Sequence, residues 1–195
     1  IEGPVHQQIT DSLRLLKTQY LEEKVRKIEG KAEAERIWNY PYAALEETVA
    51  NCIYHRNYQE HEPVTIRIEP TSITLYNCGG PDWSLKREDF ISGKAIPKRY
   101  RNRRLGDFLK ELGLTEGHAT GLPAIRKAMQ QNGSPEAIFD FDEERTWFQV
   151  TLPIHPAFKK KQPFTVDFKV INWDLVGIDN LLNQIIDYAE IDERS

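Results

Sequence analysis

Glu47, Asn51 and His55 stand four residues apart within a segment of helical spacing. Four residues advance an α-helix by about 400°, so the three line one side of it with a gentle drift. A carboxylate, a carboxamide and an imidazole on one face can serve as an acid or base, an oxygen ligand for Mg²⁺ and a hydrogen-bonding ring. The same spacing suits a polar face turned to solvent, and Glu46 beside Glu47 shows that acids are not scarce there. Asn77-Cys78-Gly79-Gly80 follows an expected strand directly. Paired glycines let backbone approach a ligand or adopt positive φ, although a plain turn explains them as well. Gly117 and Gly121, with Thr120, lie where a third helix should begin. Free amides at such an N-terminus favour phosphate by geometry and dipole, and many helices begin this way with no ligand.

Charge is unevenly spread. The net charge is −4, yet Lys94, Lys98, Arg99, Arg101, Arg103 and Arg104 follow one another with no acid among them. That run can meet phosphate of a nucleotide or nucleic acid, or form a solvated face. The acidic balance counsels against direct DNA binding by this chain. Acids dominate from Asp167 onward, as expected of a solubilising surface. Other chemistries fail on spacing. Five histidines and two cysteines are scattered without zinc spacing, and Walker loop and Gly-x-Ser-x-Gly elbow are both absent. His118 and His155 are expected to make local hydrogen bonds. Trp147 and Phe148, in an expected strand, should pack in the core rather than stack on bases.

The elements that must position these residues follow from periodicity. Val5, Ile9, Leu13, Leu16 and Tyr20 mark an amphipathic helix. Gly30 breaks the next segment, and Ala32 to Arg36 leads to Tyr40-Pro41. A second helix should run from about Tyr42 to His55, burying Ala44, Leu45, Val49, Cys52 and Ile53. Val64, Ile66 and Ile68 form one strand face and Ile73 and Leu75 another, across the turn Pro70-Thr71-Ser72. Asn77 to Pro81 should end the second strand abruptly. Helical spacing returns at Leu105, Phe108, Leu109 and Leu112, with Gly113 as C-cap. A further helix spans about Gly121 to Gln131, and strands run from Ala137 to Phe141 and Thr146 to Leu152. The expected fold is α+β: a two-layer α/β sandwich, its mixed, mostly antiparallel sheet covered by helices on one face. Residues 1–30 read as an N-terminal helix and connector, 31–157 as the main domain, and 158–195 as a linker with an arm or the start of another domain. Phe164 to Ile171 suits a strand and Leu175 to Tyr188 an amphipathic helix.

With 195 residues, 39% apolar and 29% charged, the chain has enough apolar side chains for a sizeable core. No apolar run approaches the roughly 20 residues of a membrane helix. Cys52 and Cys78 cannot build a disulfide framework, which points to a reducing, cytoplasmic setting. The opening Ile-Glu-Gly, with no initiator Met, suggests a fragment of a longer protein.

The order of the motifs carries more than any one of them. An acid-x-x-x-Asn helix, a strand ending in Asn-x-Gly-Gly and a Gly/Thr loop opening a helix together resemble the GHKL (Bergerat-type) nucleotide-binding fold of gyrase, sensor histidine kinases and MutL-type proteins. More closely, residues 25 to 155 resemble the GHKL-like domain known as the C-terminal domain of RecG-type ATP-dependent DNA helicases. The residues that carry this are Tyr40-Pro41-Tyr42-Ala43-Ala44-Leu45-Glu46-Glu47, Asn51, His55-Arg56-Asn57-Tyr58, Asn77-Cys78-Gly79-Gly80, Arg101-Asn102 and Glu116 with Thr120-Gly121-Leu122. Such domains commonly follow a Schlafen/AlbA-like domain in bacterial transcriptional regulators. The resemblance implies ATP and Mg²⁺ as cofactors. It puts Glu47 at the position of the catalytic base, Asn51 at that of the Mg²⁺ ligand, and Asn77 where the wider fold has an Asp facing the adenine amino group. It extends nucleotide contact to His55, Gly79, Gly80, Arg101, Asn102, Gly117, Ala119, Thr120, Gly121 and Leu122, with the run 94–104 in the lid region. DNA would be met through domains outside this chain, with a homodimer as the expected assembly and no membrane partner.

Two residues depart from the pattern. Pro81 stands where the wider fold has glycine, and Ala119 where the family has Gly before Thr-Gly; alanine at positive φ costs about 1 kcal/mol. Hydrolysis is therefore left open between a weak Mg²⁺-dependent ATPase and none, and no motor helicase core is present. The alternative is a degenerate scaffold that serves dimerisation or partner docking without nucleotide.

Overall fold

The apolar stripe of the first segment produces helix α1 (Val5–Gln19), which buries Ile9, Leu13 and Leu16. Two short antiparallel strands follow, β1 (Glu23–Lys27) and β2 (Ala34–Trp38). Helix α2 (Tyr42–His55) starts behind Pro41, whose ring fixes a φ of −66°. It buries Ala44, Leu45, Val49, Cys52 and Ile53, as the spacing predicts. Strands β3 (Thr65–Glu69) and β4 (Ser72–Cys78) form a tight hairpin. After β4 come α3 (Arg87–Ser92), α4 (Arg103–Glu111) and α5 (Gly121–Gln131). Strands β5 (Ile138–Phe141) and β6 (Trp147–Pro153) close the sheet, and a single 3₁₀ turn covers Pro156–Phe158. This computed structural model describes residues 1, 3–27, 34–115 and 121–159, all within one compact unit, Ile1–Lys160. The strand and helix expected between Phe164 and Tyr188 lie outside the described residues.

Four strands pair in the order β3-β4-β6-β5, every neighbouring pair antiparallel. Period-two alternation puts Ile73, Leu75 and Asn77 of β4 on the buried face. Val150 and Leu152 of β6 join Ile73 and Leu75 in one core with residues of α1, α2 and α5. The fold is thus α+β, two layers, with helices against one face of the sheet. Phe148 belongs to the buried face as expected, packed on Leu85, Phe90 and Phe141 in a second, smaller core. Trp147 differs: strand parity turns it to the opposite face, where it stacks on Tyr76 at 6.0 Å between centroids. Cys52 and Cys78 are free and buried. His155 makes the expected local bond, its Nδ1 accepting from the Ala157 amide at 3.1 Å; His118 lies outside the described residues.

The β1–β2 ribbon and α3 are additions to the elements the periodicity predicts. Both strands of the ribbon are almost fully exposed, so no alternation marks them. Helix α3 has only six residues. Its signal is a cap: the Asp89 carboxylate accepts the Lys86 amide at 2.8 Å, and Gly93 closes the helix at φ 71°.

Asn39, only 5% exposed, joins α1, the ribbon and α2. Its Oδ1 accepts from the Glu22 and Tyr40 amides, each at 2.9 Å, and its Nδ2 donates to the Tyr20 carbonyl at 2.7 Å. Asn39→Leu leaves these buried groups unpaired and is expected to cost about 2–4 kcal/mol, read as a lower urea midpoint at unchanged slope.

Candidate nucleotide cleft

A cleft of about 980 Å³ lies between the second half of α2, the segment after β4, the basic stretch before α4 and the start of α5. Glu47, Asn51 and His55 line it from α2. Gly79, Gly80 and Arg101 line it from the segments beyond, and Gly121 and Leu122 from α5. Asn77 lies buried in β4 and Asn102 at the start of α4, neither on the cleft wall. Gly117, Ala119 and Thr120, with Glu116, lie outside the described residues.

One end of the cleft is polar. The Asn51 Nδ2 donates to the Glu47 carbonyl at 2.8 Å and to the Glu47 carboxylate at 2.9 Å. With its nitrogen committed, the carboxamide has Oδ1 to offer a cation, the donor type Mg²⁺ requires. Gly121, the first residue of α5, packs directly on this pair. A Cβ there would stand 2.5 Å from Asn51 Nδ2 and 2.6 Å from Glu47 Oε1. Those atoms end movable side chains, so Gly121→Ala should fold with a modest loss of thermal stability while displacing both polar groups. The expected signature is a melting temperature within a few degrees of wild type, together with loss of whatever ligand binding the pair supports.

The last turn of α2 leaves carbonyls with no helical partner. Asn102 Nδ2 donates to the carbonyls of Tyr54 at 2.7 Å and Arg56 at 2.8 Å. Arg101 donates to the His55 carbonyl at 2.9 Å and, through its other terminal nitrogen, to the Gly80 carbonyl at 3.2 Å. Asn102 therefore acts as a clamp on the helix end. Arg101 does the same while keeping part of its guanidinium on the cleft. His55 lies against Tyr54 at 4.4 Å and Tyr100 at 6.2 Å between ring centroids. Burial, then the Arg101 charge, lowers its pKa to about 4 from 6.5. A lowered histidine pKa means the unfolded chain binds the extra proton first. The stability due to neutral His55 is complete above pH 6.5 and lost as pH falls through about 4. His55→Gln should flatten the melting temperature between those pH values, as followed by circular dichroism.

The other end is apolar and aromatic, walled by Leu85, Phe90, Phe148 and Trp83. Asn77 sits at this end of β4, fully buried. Its Nδ2 faces the carbonyls of Cys78 at 3.3 Å and Gly79 at 3.4 Å, which fixes the orientation of the amide. Oδ1 is left as a buried acceptor without a hydrogen-bond partner. Strand β4 ends at Cys78, inside the run expected to stop it, although two further amides still reach across. Gly79 and Gly80 donate their amides to the Thr146 and Arg145 carbonyls at 2.6 and 2.7 Å, continuing the ladder toward β6. What requires glycine is space: at Gly79, φ 89°, a Cβ would lie 2.4 Å from the Arg101 guanidinium, and at Gly80 2.6 Å from the Arg145 backbone.

Lys98, Arg99, Arg101 and Arg103 of the basic run line the cleft. Tyr54, Tyr100, Trp83 and Arg145 also line it, and sequence reasoning missed all four. For Arg145 no local signal exists, since it reaches the cleft only because β6 pairs with β4. Among the described residues no cluster of three or more His, Cys, Asp or Glu could hold a metal. No helix there is long and apolar enough to cross a membrane.

Residues 61–152 match the family described as “Putative ATP-dependent DNA helicase recG C-terminal”, of the HATPase type. That is the family the sequence resembles. The matched segment holds Asn77, the two glycines, the basic run and α5, while Glu47, Asn51 and His55 precede it. The fold is similar to that of the DIP2311 protein from Corynebacterium diphtheriae, with a TM-score of 0.64 at 19% identity. The alignment covers 76% of this chain and 29% of that one, so the chain spans under a third of that protein. No curated protein matches the chain significantly.

Proposed function

We propose that this chain is a GHKL-like ATP-binding module, taking ATP with Mg²⁺ in the cleft between α2 and the Asn77 strand. The observation that carries the reading is the meeting, in one cleft, of three features distant in sequence: Glu47 with Asn51, the Gly79-Gly80 pair after β4, and the Gly121 start of α5. The residues fit the ligand. The aromatic walls suit a base and Asn51 with Lys98 and Arg99 suits a metal-bearing polyphosphate, while Asn77, with its unpartnered Oδ1, lies buried in β4 off the cleft wall.

When bound, Mg²⁺-ATP supplies the charged phosphoanhydride whose binding or cleavage the module uses. Asn51 would hold the metal through Oδ1. Glu47, bonded to Asn51, is placed to accept a proton from a water at the phosphate end. His55 is neutral near pH 7, so it stiffens the helix end by packing and adds no charge to the cleft. In the larger protein, a DNA-associated regulator, DNA contact belongs to other domains, and nucleotide biases their arrangement.

A thermal shift with Mg²⁺-ATP, Mg²⁺-ADP and a non-hydrolysable analogue tests this reading. Ligand at 100 times its Kd should add about 2.7 kcal/mol, a rise of several degrees, and Asn51→Ala should abolish it. No shift at millimolar nucleotide would overturn the reading in favour of a docking scaffold. Glu47→Gln should retain the shift and lose phosphate release above background.

A further inference from the structure

Arg145 occupies a conformation that its residue type does not favour. It is the one non-glycine with positive φ among the described residues, at 59°, a region in which an L side chain is strained. Its place in the turn between β5 and β6 explains the backbone, since its amide meets the Asp142 carbonyl at 3.3 Å. A glycine would adopt that turn without strain, so the side chain must be accounted for separately.

The side chain is held on three sides. Nη2 donates to the Leu85 carbonyl at 2.7 Å. The guanidinium carbon lies 4.2 Å from the Phe141 centroid and 5.6 Å from that of Trp83. Nη1 is buried and has no hydrogen-bond partner, and Arg145 makes no ion pair among the described residues. A guanidinium N–H withdrawn from water without an acceptor is costly. The arrangement makes sense if the acceptor arrives with a ligand. Arg145 lines the cleft beside Leu85, Phe148 and Trp83, and Trp83 leaves 72% of its surface open at the rim. Among the described residues, Asn77, Arg56 and Arg126 also carry a buried side-chain atom without a partner, and of these only the Asn77 Oδ1 is an acceptor. Two aromatic faces and one donor suit a flat heteroaromatic ring with an acceptor atom better than a phosphate.

We infer that Arg145 is a specificity-determining residue of the cleft: its unpartnered Nη1 donates to an acceptor atom on the base of the bound nucleotide, at the aromatic end beside Leu85, Phe148 and Trp83. The inference rests on the nucleotide reading above and extends it to the choice of base. The strand register fixes the turn that carries the guanidinium, so only the Arg145 side chain and the exposed Trp83 at the rim need shift to bring Nη1 to the base.

The test is calorimetric titration of the whole chain with Mg²⁺-ATP, its 1-deaza, 3-deaza and 7-deaza analogues, and inorganic tripolyphosphate. Each analogue replaces one ring acceptor by C–H. The expected result is that one analogue binds the wild type about tenfold or more weakly than ATP, the loss of one charge-assisted hydrogen bond. In Arg145→Met that gap closes, while tripolyphosphate binds both proteins equally. Equal binding of ATP and all three analogues to the wild type overturns the inference and needs no variant. A gap that persists in Arg145→Met, or an equal loss of tripolyphosphate and ATP, overturns it also, the latter assigning Arg145 to phosphate. In each of these cases ATP still binds, and the nucleotide reading stands. Absence of ATP binding to the wild type overturns both.

Discussion

The cleft depends on how one helix ends. The carbonyls in the last turn of α2 cannot be satisfied within the helix, and an apolar environment would make them expensive to leave bare. Their donors come from far along the chain, from Arg101 and Asn102, and the Arg101 guanidinium continues to the Gly80 carbonyl. The Asn57 amide, just beyond the helix, donates to the Cys78 carbonyl at 2.9 Å. Helix end, strand end and the start of α4 are thereby tied at one junction. Gly79 is glycine because this junction leaves no room for a side chain.

From that junction the cleft divides by chemistry. Toward α5 the surfaces are polar, with Asn51, Glu47 and the basic stretch. Toward β6 they are aromatic, built on the small core of Leu85, Phe90 and Phe141. The helix that carries the polar groups faces outward from a core it shares with the sheet, so Val49, Ile53 and Cys52 fix where Glu47 and Asn51 project. Packing and site geometry are two readings of one helix.

Elements with strong periodicity were legible in the sequence. The stripe of α1, the buried face of α2 and the alternation of β3, β4 and β6 each encode a half-buried surface, which is what such patterns measure. The bounds of α5 were legible for another reason, because Gly121 and the Asn132-Gly133 pair punctuate it. The β1–β2 ribbon was not legible, since nearly all of its side chains face water and nothing forces them to alternate. Glu47, Asn51, Gly79, Gly80 and Gly121 could be read as motifs because each is local in sequence. Asn102 was readable only as part of a resemblance, and its bonds give it a structural task. Trp83, Tyr100 and Arg145 become neighbours through tertiary pairing alone, and no spacing along the chain announces them.

The strand order has a kinetic and thermodynamic side. The hairpins β3–β4 and β5–β6 are local, but the central pairing of β4 with β6 joins Cys78 to Trp147 across three helices. Closing so long an intervening segment costs chain entropy before its contacts repay it. The Gly79 and Gly80 amides, the Asn77 face and the Arg145 turn all take their places with that same pairing. The cleft therefore has no existence in a partly zipped chain. A molecule filling it would act as a clasp on the longest-range strand pairing of the described sheet, coupling occupancy to the stability of the whole fold.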